Sequence, residues 1–437
     1  MKCTIQSQKK QAKLTVKKLT LYQRCKIIHA KGRSGADYYL VFHKDRYINT
    51  AKIKHLKDDS FIKKAFDHGL VIKGDHPAVY TLVNEHVFMC TRMTQTINKL
   101  KQRQPNLEQL IILTYFDQFI AKDELINAFI DCFRDYRRKG NIQKAYNVLS
   151  LLEHYDRKNQ FAKEMLASMT FQGYQSTYEE YFYYTPIDPQ RLYDIFTRHE
   201  RSVDLSILVT YRLLNRFSLT DWNVFHNFLS SYPKDVQANT LFQLFKQKQA
   251  LIKYRSFADI LLTHANTKQF FKIIFKAPYP HDLYPPLFIK HMGNASEELI
   301  MEVFNNKYPL QEVIKDFPIN KQEQAVRPVV EIILKHTSIH EVLEWLKNFN
   351  HTFSFQAALE QIKQLEENPD QQDRLGDLYK MFNDLDHAIN CYKWVIEINP
   401  NHELTLKKLI TLLKQNDQIE EAEAYQQQFI QQNKYTS

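Results

Sequence analysis

Over most of this chain, apolar positions return every three or four residues, the period of amphipathic helices. In "RLGDLYKMFNDLDHAINCYKWVIEINP", Arg374 to Pro400, that period holds on both sides of Asn383-Asp384 and predicts two helices joined by a tight turn. A similar pattern occurs in "FIDCFRDYRRKGNIQKAYNVLSLL": Phe129, Phe133 and Tyr136 share one helical face, Gly140-Asn141 turns the chain, and Ala145, Leu149 and Leu152 share the next. Between about residues 159 and 367, "VDLSILVTYRLLNRF", "QANTLFQLFKQ", "FADILLTH", "FFKIIFKA", "EELIMEVFNNKY", "VVEIILKH" and "HEVLEWLKNF" predict further helices. Breaks at Pro186, Pro189, Pro233, Pro278, Pro280, Pro285, Pro286, Pro309, Pro318 and Pro328 divide them into pairs. A stack of helical hairpins with diverged members is expected, a single all-helical globular domain being the alternative.

The clearest hairpin places Leu375, Gly376 and Tyr379 on its first helix, Ala388, Tyr392 and Val395 on its second, and Pro400 at its close. This order resembles the tetratricopeptide repeat, a helix–turn–helix unit of about 34 residues. Small residues at 376 and 388 let the two helices cross closely, and Pro400 ends the unit by biasing Asn399 away from helix. One repeat length on, Leu406, Leu409, Leu413 and Ala422 fall in register, with Gln426 replacing the aromatic, as in a polar-faced cap. The resemblance is clear over about residues 369–434 and fainter over 126–159, where Tyr136, Ala145 and Leu149 are the packing positions.

Residues 1–105 read differently. "DYYLVFH" and "AVYTLV" predict strands, and four of the eight glycines, Gly32, Gly35, Gly69 and Gly74, lie here. "DDSFIKKAFDHGLVIKGDHPAVYTLV" reads as a helix with Phe61, Ile62, Ala65 and Phe66 inward, a stop at Gly69, and two strands around "KGDHP". Over 58–83 this order resembles the recognition helix and wing of a winged-helix domain, which implies a helix in the major groove and a hairpin on the neighbouring backbone. Lys63 and Lys64 on that helix, Lys73 on the wing, and Lys52, Lys54 and Lys57 upstream would then contact nucleic acid. Lys9, Lys10, Lys13, Lys17 and Lys18 would form an arm against phosphates.

The predicted fold class is therefore mainly α: a tetratricopeptide-like solenoid carrying a small basic α+β domain. The expected divisions are 1–105, then diverged hairpins over 106–368, then repeats and a cap over 369–437. Charge sharpens the first division. Residues 1–105 hold 22 Lys or Arg against 7 Asp or Glu, net +15, while the remainder holds 37 against 42, net −5, so the whole-chain +10 conceals an asymmetry. Such a basic segment points to a polyanionic partner, nucleic acid or an anionic surface.

Composition excludes other classes. Apolar residues at 44% and aromatics at 13% predict a folded chain, and no apolar run approaches the roughly 18–20 residues of a membrane span. No secretory signal is expected from the basic N-terminus, which places the protein in the cytosol. The five scattered cysteines, Cys3, Cys25, Cys90, Cys132 and Cys391, fit neither a disulfide framework nor a cysteine zinc site. His336 and His340 share a helix face without a third ligand nearby, so no metal or cofactor is expected. Local motifs for phosphate loops, dinucleotide binding, zinc hydrolysis and serine hydrolysis are absent, and an enzyme is not expected. A catalytic site assembled from distant residues would announce itself as a pocket holding ionisable groups with mutually shifted pKa values. The aromatic run "YEEYFYYTP", Tyr178 to Pro186, reads as packing at a junction rather than as a stacking patch.

The repeat resemblance implies a groove lined by the first helix of each pair. Carried over residue by residue, it would present Asn127, Ile130, Arg134 and Arg137, with Arg138 beside them, and Asp370, Asp373, Asp377 and Lys380. Asp373 and Asp377 stand where chaperone-binding members of the family carry Lys and Asn, so a chaperone C-terminus is not the expected ligand. The expected function is a cytosolic, non-enzymatic adaptor for a protein or peptide. The alternative is a nucleic-acid-binding regulator whose basic front holds DNA or RNA while the repeats sense a peptide or mediate dimerisation.

Overall fold

The computed structural model describes residues 1–7, 10–83, 87–101, 105–178, 189–275, 285–305 and 308–435. It is mainly helical with an N-terminal sheet, and it divides into two compact units, Met1–Leu251 and Ile252–Ser437.

The first unit is built on strands β1 (Lys2–Ser7), β2 (Lys10–Tyr22), β3 (Cys25–Lys31), β4 (Asp37–His43), β5 (Arg46–Lys52), β6 (Leu70–Lys73) and β7 (Val87–Met89). They form one sheet in the order β5-β4-β3-β2-β1-β7, with β6 also paired to β2. The lysine-rich front segment is therefore the longest strand of the sheet, not an arm. Its Leu14 and Val16 are buried while Lys13 and Lys17 stand outward, the alternation that a strand requires, and a bulge between Val16 and Lys18 shifts the phase before buried Leu19 and Leu21. Lys9 lies outside the described residues. The two ends of the sheet meet: Asn49 Nδ2 donates to the Thr91 carbonyl at 3.0 Å, and the Thr91 amide donates back to Asn49 Oδ1 at 3.1 Å.

Both faces of this sheet are apolar, so both must be covered. One shares an apolar core with α1 (Phe61–His68), α3 (Met93–Leu100), α4 (Leu107–Thr114), α5 (Lys122–Arg138), α6 (Ile142–Tyr155) and α7 (Gln160–Leu166). The other packs against α2 (Pro77–Val83), α8 (Pro189–Arg198) and α9 (Ser202–Asn215). The expected division at 105/106 thus falls inside a single unit. A buried ionic contact ties its parts together: the Lys26 ammonium on β3, 1% exposed, meets Asp204 on α9, which Arg201 also holds. Helices α10 (Leu219–Ser230) and α11 (Lys234–Gln247) complete the unit.

The winged-helix expectation fails on its second half. Ala78–Val83, expected as a strand, lies in helix α2, and β6 pairs antiparallel with β2 rather than with a wing partner. Pro77 opens the helix, where its missing amide costs nothing, and the His76 ring accepts the Ala78 amide at Nδ1, 3.0 Å away. That start, together with the burial of Ala78, Val79, Leu82 and Val83, overrides the strand propensity of "AVYTLV".

The second unit holds α12 (Arg255–His264), α13 (Thr267–Ile274), α14 (Pro285–Gly293), α15 (Glu297–Phe304), α16 (Leu310–Ile314), α17 (Ile319–Ile333), α18 (Ile339–Leu346), α19 (Gln356–Leu365), α20 (Gln372–Met381), α21 (Leu385–Ile398), α22 (Glu403–Gln415) and α23 (Ile419–Tyr435). From α18 onward each helix packs against the next in chain order. Pro309 and Pro318 sit just before helices, as expected of breaks, but Pro328 lies within α17. Buried Ala325, Val326, Val329 and Val330 flank it, and their packing carries the helix past the one hydrogen bond that proline removes. Among the described residues, no helix is long and apolar enough to cross a membrane.

Candidate functional site

In the C-terminal hairpin the expected packing residues converge. Leu375, Gly376, Tyr379, Ala388 and Tyr392 are buried between α20 and α21, and the turn is made by Asn383 at φ 56° followed by Asp384, whose carboxylate caps α21. Pro400 follows the end of α21 and is exposed. In the upstream hairpin Ala145 and Leu149 are buried and Tyr136 is half-buried, but their core also includes the sheet.

The expected groove residues take several places. Asn127, Arg134, Arg137 and Arg138 are exposed on α5, with Arg134 near Asp131 at 3.6 Å, whereas Ile130 is partly buried against the core. Asp370 and Lys380 are exposed. Asp373 and Asp377 meet Lys408 of the next hairpin, at 3.2 and 2.7 Å. Thr405 donates to Asp373, and the Tyr392 hydroxyl donates to Asp377 at 2.6 Å. Partial burial opposes ionisation of Asp377, but the Lys408 and Tyr392 hydrogen bonds outweigh it and hold its carboxyl below the usual range. These two carboxylates therefore join one hairpin to the next instead of forming an open acidic patch.

Of the lysines assigned to nucleic acid, Lys52, Lys54, Lys57 and Lys73 are exposed. Lys63 is tied to Asp67 at 3.0 Å on its own helix. Lys64 turns to a cleft that local sequence reasoning missed.

That cleft, about 530 Å³ counting its open mouth, lies among α1, α4, α5, α6 and the β2–β3 turn. Tyr22, Phe61, Ile111, Phe129, Leu151 and Tyr155 form its apolar walls, and Gln23, Lys64, Thr114, Asp117 and His154 supply its polar groups. Both Asp117 oxygens accept the Phe61 amide, each at 3.0 Å, so this carboxylate closes the N-terminus of α1. Burial nevertheless pushes the Asp117 carboxyl up to about 6, against the pull of that amide. Burial, with Arg157 and Lys64 adding, drives the His154 imidazole down to about 4. His154 Nε2 is 3.0 Å from the Gln23 amide nitrogen, and Gln23 turns the hairpin at φ 57°, a conformation rare outside glycine. An acid shifted up and an imidazole shifted down thus share one cleft, but each is shifted mainly by its own burial and neither by the other. Residues 23, 64, 117 and 154 are too scattered for any spacing to reveal.

A second polar cluster near this cleft is structural. Glu108 joins Arg24 at 2.8 Å and His43 at 2.7 Å, and the His43 Nδ1 meets the buried Tyr115 hydroxyl at 2.9 Å. Burial opposes it, but the His43 hydrogen bond and the Arg24 charge pull the Glu108 carboxyl down to about 2. The Tyr178 ring lies under the Arg24 guanidinium at 4.2 Å. The rest of the aromatic run, 179–186, lies outside the described residues.

No protein-family model matches this chain, and no curated protein matches its sequence.

Proposed function

We propose that the chain is a non-enzymatic adaptor whose C-terminal helical hairpins, of tetratricopeptide type, bind a segment of another protein. The observation that carries this reading is where large apolar side chains remain uncovered. Among the described residues fifteen are exposed, and six of them, Met381, Trp394, Ile398, Leu404, Ile419 and Ile430, fall between 381 and 430. Single exposed apolar residues are ordinary, whereas exposed apolar residues that adjoin on one surface mark a binding site. Trp394 and Ile398 are four residues apart on α21 and so share a helix face, and Leu404 follows in the first turn of α22. With Asp373 and Asp377 engaged by Lys408, apolar anchoring at these positions supports the reading better than the acidic groove does. The test is to identify a co-purifying protein and repeat the purification with Trp394→Ala/Ile398→Ala. The reading expects that protein to be lost while helical content and melting temperature hold.

A second reading, nucleic-acid binding through the sheet, is supported by strand register. Lys2 and Lys31 both lie opposite Thr15, and Lys13 lies two residues along β2, so the three exposed lysines share one sheet face. If this reading holds, binding to duplex DNA or RNA weakens steeply with salt and the slope falls in Lys2→Ala/Lys13→Ala.

A further inference from the structure

The cleft of the first unit offers more than shape. Two aromatic pairs lie on its walls: Tyr22 and Phe61, with ring centroids 5.4 Å apart, and Phe129 and Tyr155, at 6.2 Å and nearly parallel. Such walls favour a flat ring presented to their faces.

Its polar groups limit the ligand further. A carboxylate offers about four lone-pair positions. The Phe61 amide uses one position on each Asp117 oxygen and the Gln118 amide also stabilises the carboxylate, which still leaves acceptor capacity for a ligand. Beside it stand two donors, the Lys64 ammonium and the Tyr155 hydroxyl, neither with a hydrogen-bond or ion-pair partner among the described residues. A wholly apolar ligand would bury these groups unsatisfied, which is costly. An anion would meet Asp117, and a cation would meet Lys64. What matches is a neutral edge that gives one hydrogen bond and takes another.

We propose that this cleft binds a neutral planar heteroaromatic compound of one or two rings that presents a ring N–H beside a carbonyl or ring nitrogen. The N–H points to Asp117, the neighbouring acceptor receives a hydrogen bond from the Lys64 ammonium, with the Tyr155 hydroxyl beside it, and the ring lies against the aromatic walls. Apolar walls with a few convergent polar groups are the ordinary form of a small-molecule site. The site is separate from the C-terminal hairpins and does not depend on their role.

The experiment uses the full chain and two probes: isoquinolin-1(2H)-one, which carries the N–H beside a carbonyl, and its N-methyl derivative, which lacks the donor. Saturation-transfer NMR and thermal shift report binding. The proposal expects the parent compound to bind, the N-methyl derivative to bind about ten-fold more weakly or worse, and Leu151→Trp, which fills the cleft, to abolish binding. Should Leu151→Trp fail to fold, Lys64→Met removes a donor from a half-buried side chain without breaking a pair, and must weaken the parent compound. No binding of the parent compound at its solubility limit overturns the proposal. So does equal binding of the two probes, or binding unchanged in a folded Leu151→Trp or in Lys64→Met.

Discussion

A methyl group placed on Gly376 would lie 2.5 Å from Cε1 of Tyr392, the fully buried ring that separates α20 from α21. The ring cannot easily retreat, because its hydroxyl is held by Asp377 at 2.6 Å. Two effects compete in Gly376→Ala: a gain of about 1 kcal/mol in helix propensity and an overpacking cost of about 1–3 kcal/mol. With the clash on a buried ring, overpacking wins. Gly376→Ala should lower stability by about 1 kcal/mol, read from the denaturant midpoint, and Gly376→Ala/Tyr392→Leu should recover part of the loss.

Lys408 joins two hairpins through Asp373 and Asp377, but all three side chains are partly exposed, so a small effect on global stability is expected. Lys408→Ala leaves two like charges four residues apart on α20. Faster amide hydrogen exchange in α20 and α22, with little change in melting temperature, is the predicted signature. Unchanged exchange would show that packing alone joins the hairpins.

His76 is buried and neutral: its Nδ1 accepts the Ala78 amide, so the proton sits on Nε2 and is donated to Thr210 Oγ1 at 2.8 Å. Burial drives this imidazole from 6.5 down to about 3. The unfolded chain therefore takes up a proton below about pH 6.5 that the folded chain refuses until about pH 3, and stability falls as pH drops through that window. At its steepest a single such group contributes about 1.4 kcal/mol per pH unit. His154 acts in the same direction down to about pH 4. His76→Asn keeps an acceptor for the Ala78 amide but cannot titrate, and it should flatten the fall between pH 6 and 4 in urea-unfolding curves measured across that window.

Asp117 has the opposite sign. Its folded carboxyl is raised from 3.8 to about 6, so the folded chain holds this proton more tightly than the unfolded one, and stability is lost as pH rises from about 4 through 6. Asp117→Asn retains an acceptor for the Phe61 amide without the charge. Its stability relative to the parent chain should grow across that interval and level off above it. A constant difference would contradict the desolvation argument.

What could be read from the sequence was local. The Leu375–Gly376–Tyr379 and Ala388–Tyr392 spacings foretold the close crossing of α20 and α21, because both helices contribute within one hairpin. Strand β2 was less legible, because the bulge between Val16 and Lys18 breaks its period-2 pattern, so Leu14 and Val16 fall out of phase with Leu19 and Leu21. "AVYTLV" misled because strand propensity is a local quantity, whereas its helix is stabilised by packing against the sheet and by the His76 cap. The cleft was invisible for the same reason: its walls come from segments more than a hundred residues apart, and only folding joins Gln23 to His154.

The central claim is that Trp394, Ile398 and Leu404 form a surface for another protein. The most direct measurement installs a photo-crosslinking amino acid at position 394 of the full chain, irradiates producing cells, and compares the adducts with those from position 139, an exposed lysine at the C-terminal cap of α5. The account predicts one dominant protein adduct from 394 that is absent from 139. No adduct at 394, or the same adducts at both positions, would contradict it.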